Sequence, residues 1–132
     1  MRFFFDNCIS PKLARAMREL IKPDHEVTPL VDKVPASTLD VEWIPRLGID
    51  GDWVVVTGDL RIKKKPQERL VWKAAKLTTF FMADSFTNVP DWEQVRWIID
   101  KWPLIVDQAK LVSPGAAFLV PRRSGKLESI AV

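Results

Sequence analysis

Two short runs in this chain are apolar without alternation: Phe3-Phe4-Phe5 and Trp53-Val54-Val55-Val56. A strand with one wet face alternates apolar and polar residues. A run of this kind, bounded and too short for a helix, needs cover on both faces. A parallel sheet with helices packed above and below supplies that cover.

The intervening segments fit such an arrangement. Ser10-Pro11 reads as an N-cap followed by proline at the first helical position. Leu13, Ala14, Met17, Leu20 and Ile21 then recur at helical spacing, and Pro23 stops the helix. His25–Leu30 reads as a second short strand. Asp40-Val41-Glu42-Trp43-Ile44 begins a short helix capped by Thr38 or Asp40, and Pro45 argues against a long one. Gly48 and Gly51 punctuate the turn into the strand Trp53–Thr57. Pro66 starts a helix with Leu70, Val71, Ala74 and Ala75 on its apolar side, and Thr78–Met82 reads as a fourth strand. Pro90 opens the longest helix, with Val95, Ile98, Ile99, Trp102, Ile105 and Val106 facing inward and a kink expected at Pro103. Ala116–Val120 is a fifth strand, and Leu127–Ala131 a weak one that returns as a hairpin. The order implies an α/β fold of three layers, with a mostly parallel central sheet of about five strands.

At 132 residues the chain is expected to form one domain with a core that needs no disulfide. Its one cysteine, Cys8, rules out an internal disulfide framework. Cys8 is expected to be a small filler rather than a nucleophile, since a nucleophile would want a base and the only histidine is His25. There is no apolar run of about 18 residues and no secretory leader, so we expect no membrane partner and a cytoplasmic location. Twenty basic against 17 acidic residues leave a net charge of +3, too small to identify a partner by its sum. Among six tryptophans, Trp43, Trp53, Trp72, Trp97 and Trp102 fall at apolar positions and are expected in the core. Trp92 is expected at the surface.

In a parallel sheet, ligands bind where the strand carboxyl ends meet the following loops. Asp6 follows the first apolar run and Asp59 the second, with Asp84 after the fourth strand. Asp40 and Glu42 stand at a helix start that can face the same edge. Such acids can hold a hard divalent cation and support cleavage of phosphodiesters. Other readings stand beside this one: Asp6 as a turn cap, Asp59 as a turn aspartate, Asp40 as a helix cap, Glu42 and Asp84 as solvated acids. Arg61, Lys63, Lys64, Lys65 and Arg69 follow Asp59 directly, as a nucleic-acid backbone would require, or as a solvated charge run. Arg122, Arg123 and Lys126 offer a second basic stretch. There is no Walker loop, and Asp6-Asn7-Cys8 lacks the second aspartate of a haloacid-dehalogenase-type phosphatase.

Phe4-Phe5-Asp6-Asn7-Cys8-Ile9-Ser10-Pro11-Lys12-Leu13-Ala14 resembles the opening of the PIN-like domains, in the branch related to VapC-type toxins. Asp40-Val41-Glu42-Trp43-Ile44 is similar to that branch's second acidic patch, and Val55-Val56-Thr57-Gly58-Asp59 to its Thr-x-Asp strand end. The resemblance spans roughly residues 1–82. It implies a PIN fold with an acidic pocket for Mg2+ or Mn2+, and an endoribonuclease that cleaves single-stranded RNA by a metal-activated water. Asp6 and Asp59 would be the principal ligands of a metal site that also takes in Asp40, with Asp40 or Glu42 as the water-orienting acid. A cognate antitoxin is the protein partner the resemblance implies, and a homodimer is a further expectation. The fourth acid of such sites has no sure counterpart. A non-catalytic RNA- or protein-binding module, or a structure-specific DNA nuclease, remains the alternative.

Overall fold

The computed structural model describes residues 1–60, 65–83 and 85–131. Ten elements alternate along it: β1 (Arg2–Phe5), α1 (Pro11–Ile21), β2 (Glu26–Pro29), α2 (Asp40–Asp50), β3 (Trp53–Thr57), α3 (Pro66–Ala75), β4 (Thr78–Met82), α4 (Asp91–Leu111), β5 (Ala117–Val120) and β6 (Glu128–Ile130). They build one sheet in the order β2-β1-β3-β4-β5-β6. The first five strands of that order are parallel and β6 returns antiparallel along β5. The sheet therefore has six strands, one more than expected, because the weak C-terminal run does pair as a hairpin.

Strand alternation divides the apolar runs between two cores. Phe3, Phe5, Val54, Val56, Phe80 and Met82 pack with α1 and α4 on one face. Phe4, Trp53, Val55 and Phe81 pack with Trp43, Ile44 and Leu47 of α2 and Trp72 of α3 on the other. This double cover is why the strands carry no polar alternation. Among the described residues no helix is long and apolar enough to cross a membrane.

Three helical details differ from expectation. α2 is not short: it runs through Pro45 to Asp50. A proline there costs the helix about 3 kcal/mol. Three buried side chains, Trp43, Ile44 and Leu47, offset that at about 2 kcal/mol each. On α3, Leu70 and Ala74 face solvent and Trp72 carries the packing. On α4, which continues through Pro103, Ile99 is 43% exposed rather than inward. Of the tryptophans, Trp43, Trp53, Trp72 and Trp97 are buried, Trp102 packs at the core's margin, and Trp92 is exposed.

Candidate functional site

The site begins with a register. β1 and β3 run side by side, with Phe5 opposite Val56. The Asp6 N–H extends the ladder by donating to the Val56 carbonyl at 3.0 Å. Asp6, just past the end of β1, and Thr57, the last residue of β3, are thus neighbours. By alternation they point to the face covered by α2 and α3, as Phe4 and Val55 do.

Asp6 is only 5% exposed. Its Oδ2 accepts from Thr57 Oγ1 at 2.8 Å and its Oδ1 from the Asn7 N–H at 2.6 Å. Thr57 Oγ1 in turn accepts from the Asp59 N–H at 3.1 Å. One hydroxyl therefore ties the side chain of the first aspartate to the backbone of the second. Ser10 occupies the N-cap position of α1, so Asp6 is not that helix's cap.

Asp40 is the first residue of α2, and Leu39 takes the cap position without a side-chain bond. Rather than capping, the Asp40 carboxylate accepts from Trp43 Nε1 at 2.9 Å. Trp43 itself packs on Phe4 with ring centroids 4.9 Å apart. The indole thus anchors Asp40 to the β1 face that leads to Asp6.

The charges of the other two aspartates reach Asp6. Burial pushes the Asp6 carboxyl up to about 6, and the Thr57 hydrogen bond opposes it. The negative charges of Asp40 and, to a smaller extent, Asp59 raise it further, against the bond from Asn7. Glu42 is exposed on α2 and is not among these contributions. A carboxyl opposed by two others in a poorly hydrated position is one that a cation would stabilise.

Cys8 completes the cluster without supplying a nucleophile. Its Sγ accepts from the Gly58 N–H at 3.0 Å and lies 3.4 Å from Thr57 Oγ1. Burial, then the nearby Asp6 charge, pushes the thiol up to about 11, so it stays protonated at neutral pH. Gly58 allows a close approach: a Cβ there would meet Phe86 at 3.1 Å, so the ring would have to give by a few tenths of an ångström.

The donor set suits a hard cation: carboxylate oxygens at a strand-end edge. Asp6 is the buried carboxylate of the set, with Asp40 and Asp59 near enough to act on its charge. The set is not a closed cage, since among the described residues no three His, Cys, Asp or Glu side chains group closely enough to hold a metal ion. Magnesium needs only one or two protein carboxylates and completes its shell with water and phosphate oxygens.

Of the basic candidates, Arg61, Lys63 and Lys64 lie outside the described residues, as does Asp84. Lys65 is exposed just before α3 and pairs with Glu68 at 3.6 Å. Arg69 is exposed one turn further on. Sequence reasoning gave no positioning role to Thr57 or Trp43, although the Thr-x-Asp and Asp-x-x-Trp spacings were visible. It also passed over Glu68, an acid in the first turn of α3 whose Oε2 is buried with no hydrogen-bond partner among the described residues.

No curated protein and no solved structure matches the chain significantly. Among protein families, residues 1–84 match the PIN like domain. That stretch contains β1 to β4 and every aspartate of the site just described, and on it the chain belongs to the PIN-like domain family.

Proposed function

We propose that this protein is a metal-dependent endoribonuclease that hydrolyses phosphodiester bonds in single-stranded RNA, of the kind found as the toxin of a toxin–antitoxin pair. The observation that supports it best is the buried strand-end carboxylate of Asp6, pushed up to about 6 by burial, with the charges of Asp40 and Asp59 near enough to raise it further. PIN-like domains are commonly nucleases, which agrees with a carboxylate cluster at the strand ends of a parallel sheet.

A bound Mg2+ or Mn2+ would supply Lewis acidity to the phosphodiester and to the attacking water. Asp6 and Asp59 would hold the cation, with Asp40 beside them. Thr57 orients Asp6 and fixes the backbone before Asp59. Trp43 orients Asp40. Asp40 or Glu42 would orient the attacking water. Lys63, Lys64, Lys65, Arg61 and Arg69 would hold the RNA backbone.

The test is cleavage of labelled single-stranded RNA and single-stranded DNA of matching sequence, with magnesium or manganese and with EDTA. Metal-dependent cleavage of RNA that Asp6→Asn abolishes is the expected result. Cleavage of DNA in preference would reassign the substrate. Tight RNA binding without cleavage would point to a non-catalytic module. Activity that persists in EDTA, or at the wild-type rate in Asp6→Asn, would sink the metal mechanism.

A further inference from the structure

A second feature lies on the same edge of the sheet. β5 runs parallel to β4, and β4 to β3. Arg122 and Arg123 therefore leave β5 on the side where Asp59 leaves β3 and Asp6 leaves β1. With strands about 4.8 Å apart, the end of β5 is about 10 Å from that of β3 and about 14 Å from that of β1.

Arg96, Trp97, Arg122 and Arg123 line a cleft there of about 590 Å³, together with Glu93 and Asp100. The turn carrying the two arginines is held in place. The side chain of Lys101 is buried in α4, and its Nζ donates to the Ser124 carbonyl at 2.6 Å. Arg122 pairs with Glu93 at 3.3 Å, and its guanidinium lies over the Trp97 ring at 5.6 Å. Asp100 is paired with Lys101 at 3.5 Å. Both acids of the cleft are thus balanced by a cation, while Arg96 and Arg123 form no ion pair among the described residues.

Two further observations bear on the ligand. Trp97 is buried, yet its Nε1 has no hydrogen-bond partner among the described residues. Trp92, 80% exposed, precedes Arg96 by one helical turn, so the two share a face of α4. Arginine forks suit phosphate oxygens, and an exposed indole suits an unstacked base.

We propose that this cleft is a binding site for the phosphodiester backbone of single-stranded RNA, with Arg96, Arg122 and Arg123 on phosphates and Trp92 against a base. It is separate from the basic residues after Asp59, and it rests on the nuclease reading only for the identity of the polymer. The strand would run along the carboxyl ends of β1, β3, β4 and β5, with the aspartates at one end of its path and the arginines at the other.

Binding of a fluorescein-labelled single-stranded RNA to the full chain in EDTA, followed by anisotropy across a salt series, tests this independently of cleavage. Losing two phosphate contacts in Arg96→Gln/Arg123→Gln should lower the slope of log affinity against log salt by about 1.4. Arg96→Lys/Arg123→Lys should restore most of that slope. Trp92→Ala should weaken binding at least about 5-fold with the slope unchanged. The proposal is overturned by a wild-type affinity and slope in the Gln pair, by a Lys pair no better than the Gln pair, or by a wild type that does not bind the RNA. Retained binding effects with no cleavage under any metal would refute the nuclease reading and leave this site standing.

Discussion

Replacing Asp6 with asparagine should make the protein more stable at alkaline pH and less stable at acid pH. Asp6 ionises near 3.8 in an unfolded chain and is pushed up to about 6 in the folded one. Between those values the native state keeps a proton that the unfolded state has released, so stability falls as pH rises through that window. A shift of about two units at 1.36 kcal/mol each is about 3 kcal/mol, fully felt above about pH 7 and absent below about pH 4. Asparagine is neutral throughout and nearly the same size. Its amide would meet Thr57 Oγ1, which already accepts from the Asp59 N–H, so one bond is compromised at about 1 kcal/mol. The net expectation is a gain of about 2 kcal/mol at pH 8 and a loss of about 1 kcal/mol at pH 4. Urea unfolding of both proteins at pH 4, 6 and 8 in EDTA reads this directly. A difference that stays constant across the three pH values would refute the argument, because it would mean that Asp6 carries no burial penalty. Magnesium at saturating levels should then stabilise the wild type at pH 8 but not the variant, by about 2.7 kcal/mol at one hundred times its Kd.

Thr57→Val removes the donor to Asp6 and the acceptor for the Asp59 N–H. It should cost about 2 kcal/mol and move the Asp6 ionisation further up, seen as an alkaline shift in the carboxyl's NMR titration and in the pH profile of cleavage. Gly48→Ala is a contest of two effects: helix propensity favours alanine by about 1 kcal/mol, but its Cβ would stand 2.9 Å from that of Ala75. We expect a net loss of about 1–2 kcal/mol in thermal unfolding, and a net gain would show that α2 and α3 separate easily. Phe4→Ala, at the contact with Trp43 and Trp53, should cost about 3–5 kcal/mol by chemical denaturation. Changing Lys63, Lys64 and Lys65 together to alanine should lower the salt slope of RNA binding by about two, leaving stability unchanged.

Much of this fold is local in origin. Apolar runs without alternation announced strands buried on both faces, and the Ser10-Pro11 and Pro66 starts placed two helices to the residue. The aspartates after Phe5 and Gly58 were legible as strand-end residues, because a strand's end and the residue that follows it are both local properties. What no local pattern contains is which strand lies beside which. The pairing of Phe5 with Val56 brings Asp6 against Thr57, and that contact spans 51 positions of sequence. Whether Asp40 caps its helix or joins the site depends on an indole anchored on Phe4 from another element. Pro45 likewise ends a helix in isolation but not one whose three large side chains are buried between a sheet and α3. Periodicity also put Ile99 inside, whereas the helix presents that position to a cleft. Sequence period sets which residues share a face, but only the neighbours that cover the face decide what it buries. The acidity of Asp6 is the clearest instance: its residue type and strand-end place were determined locally, and its raised pKa by the water and charges that the tertiary structure removes and brings near.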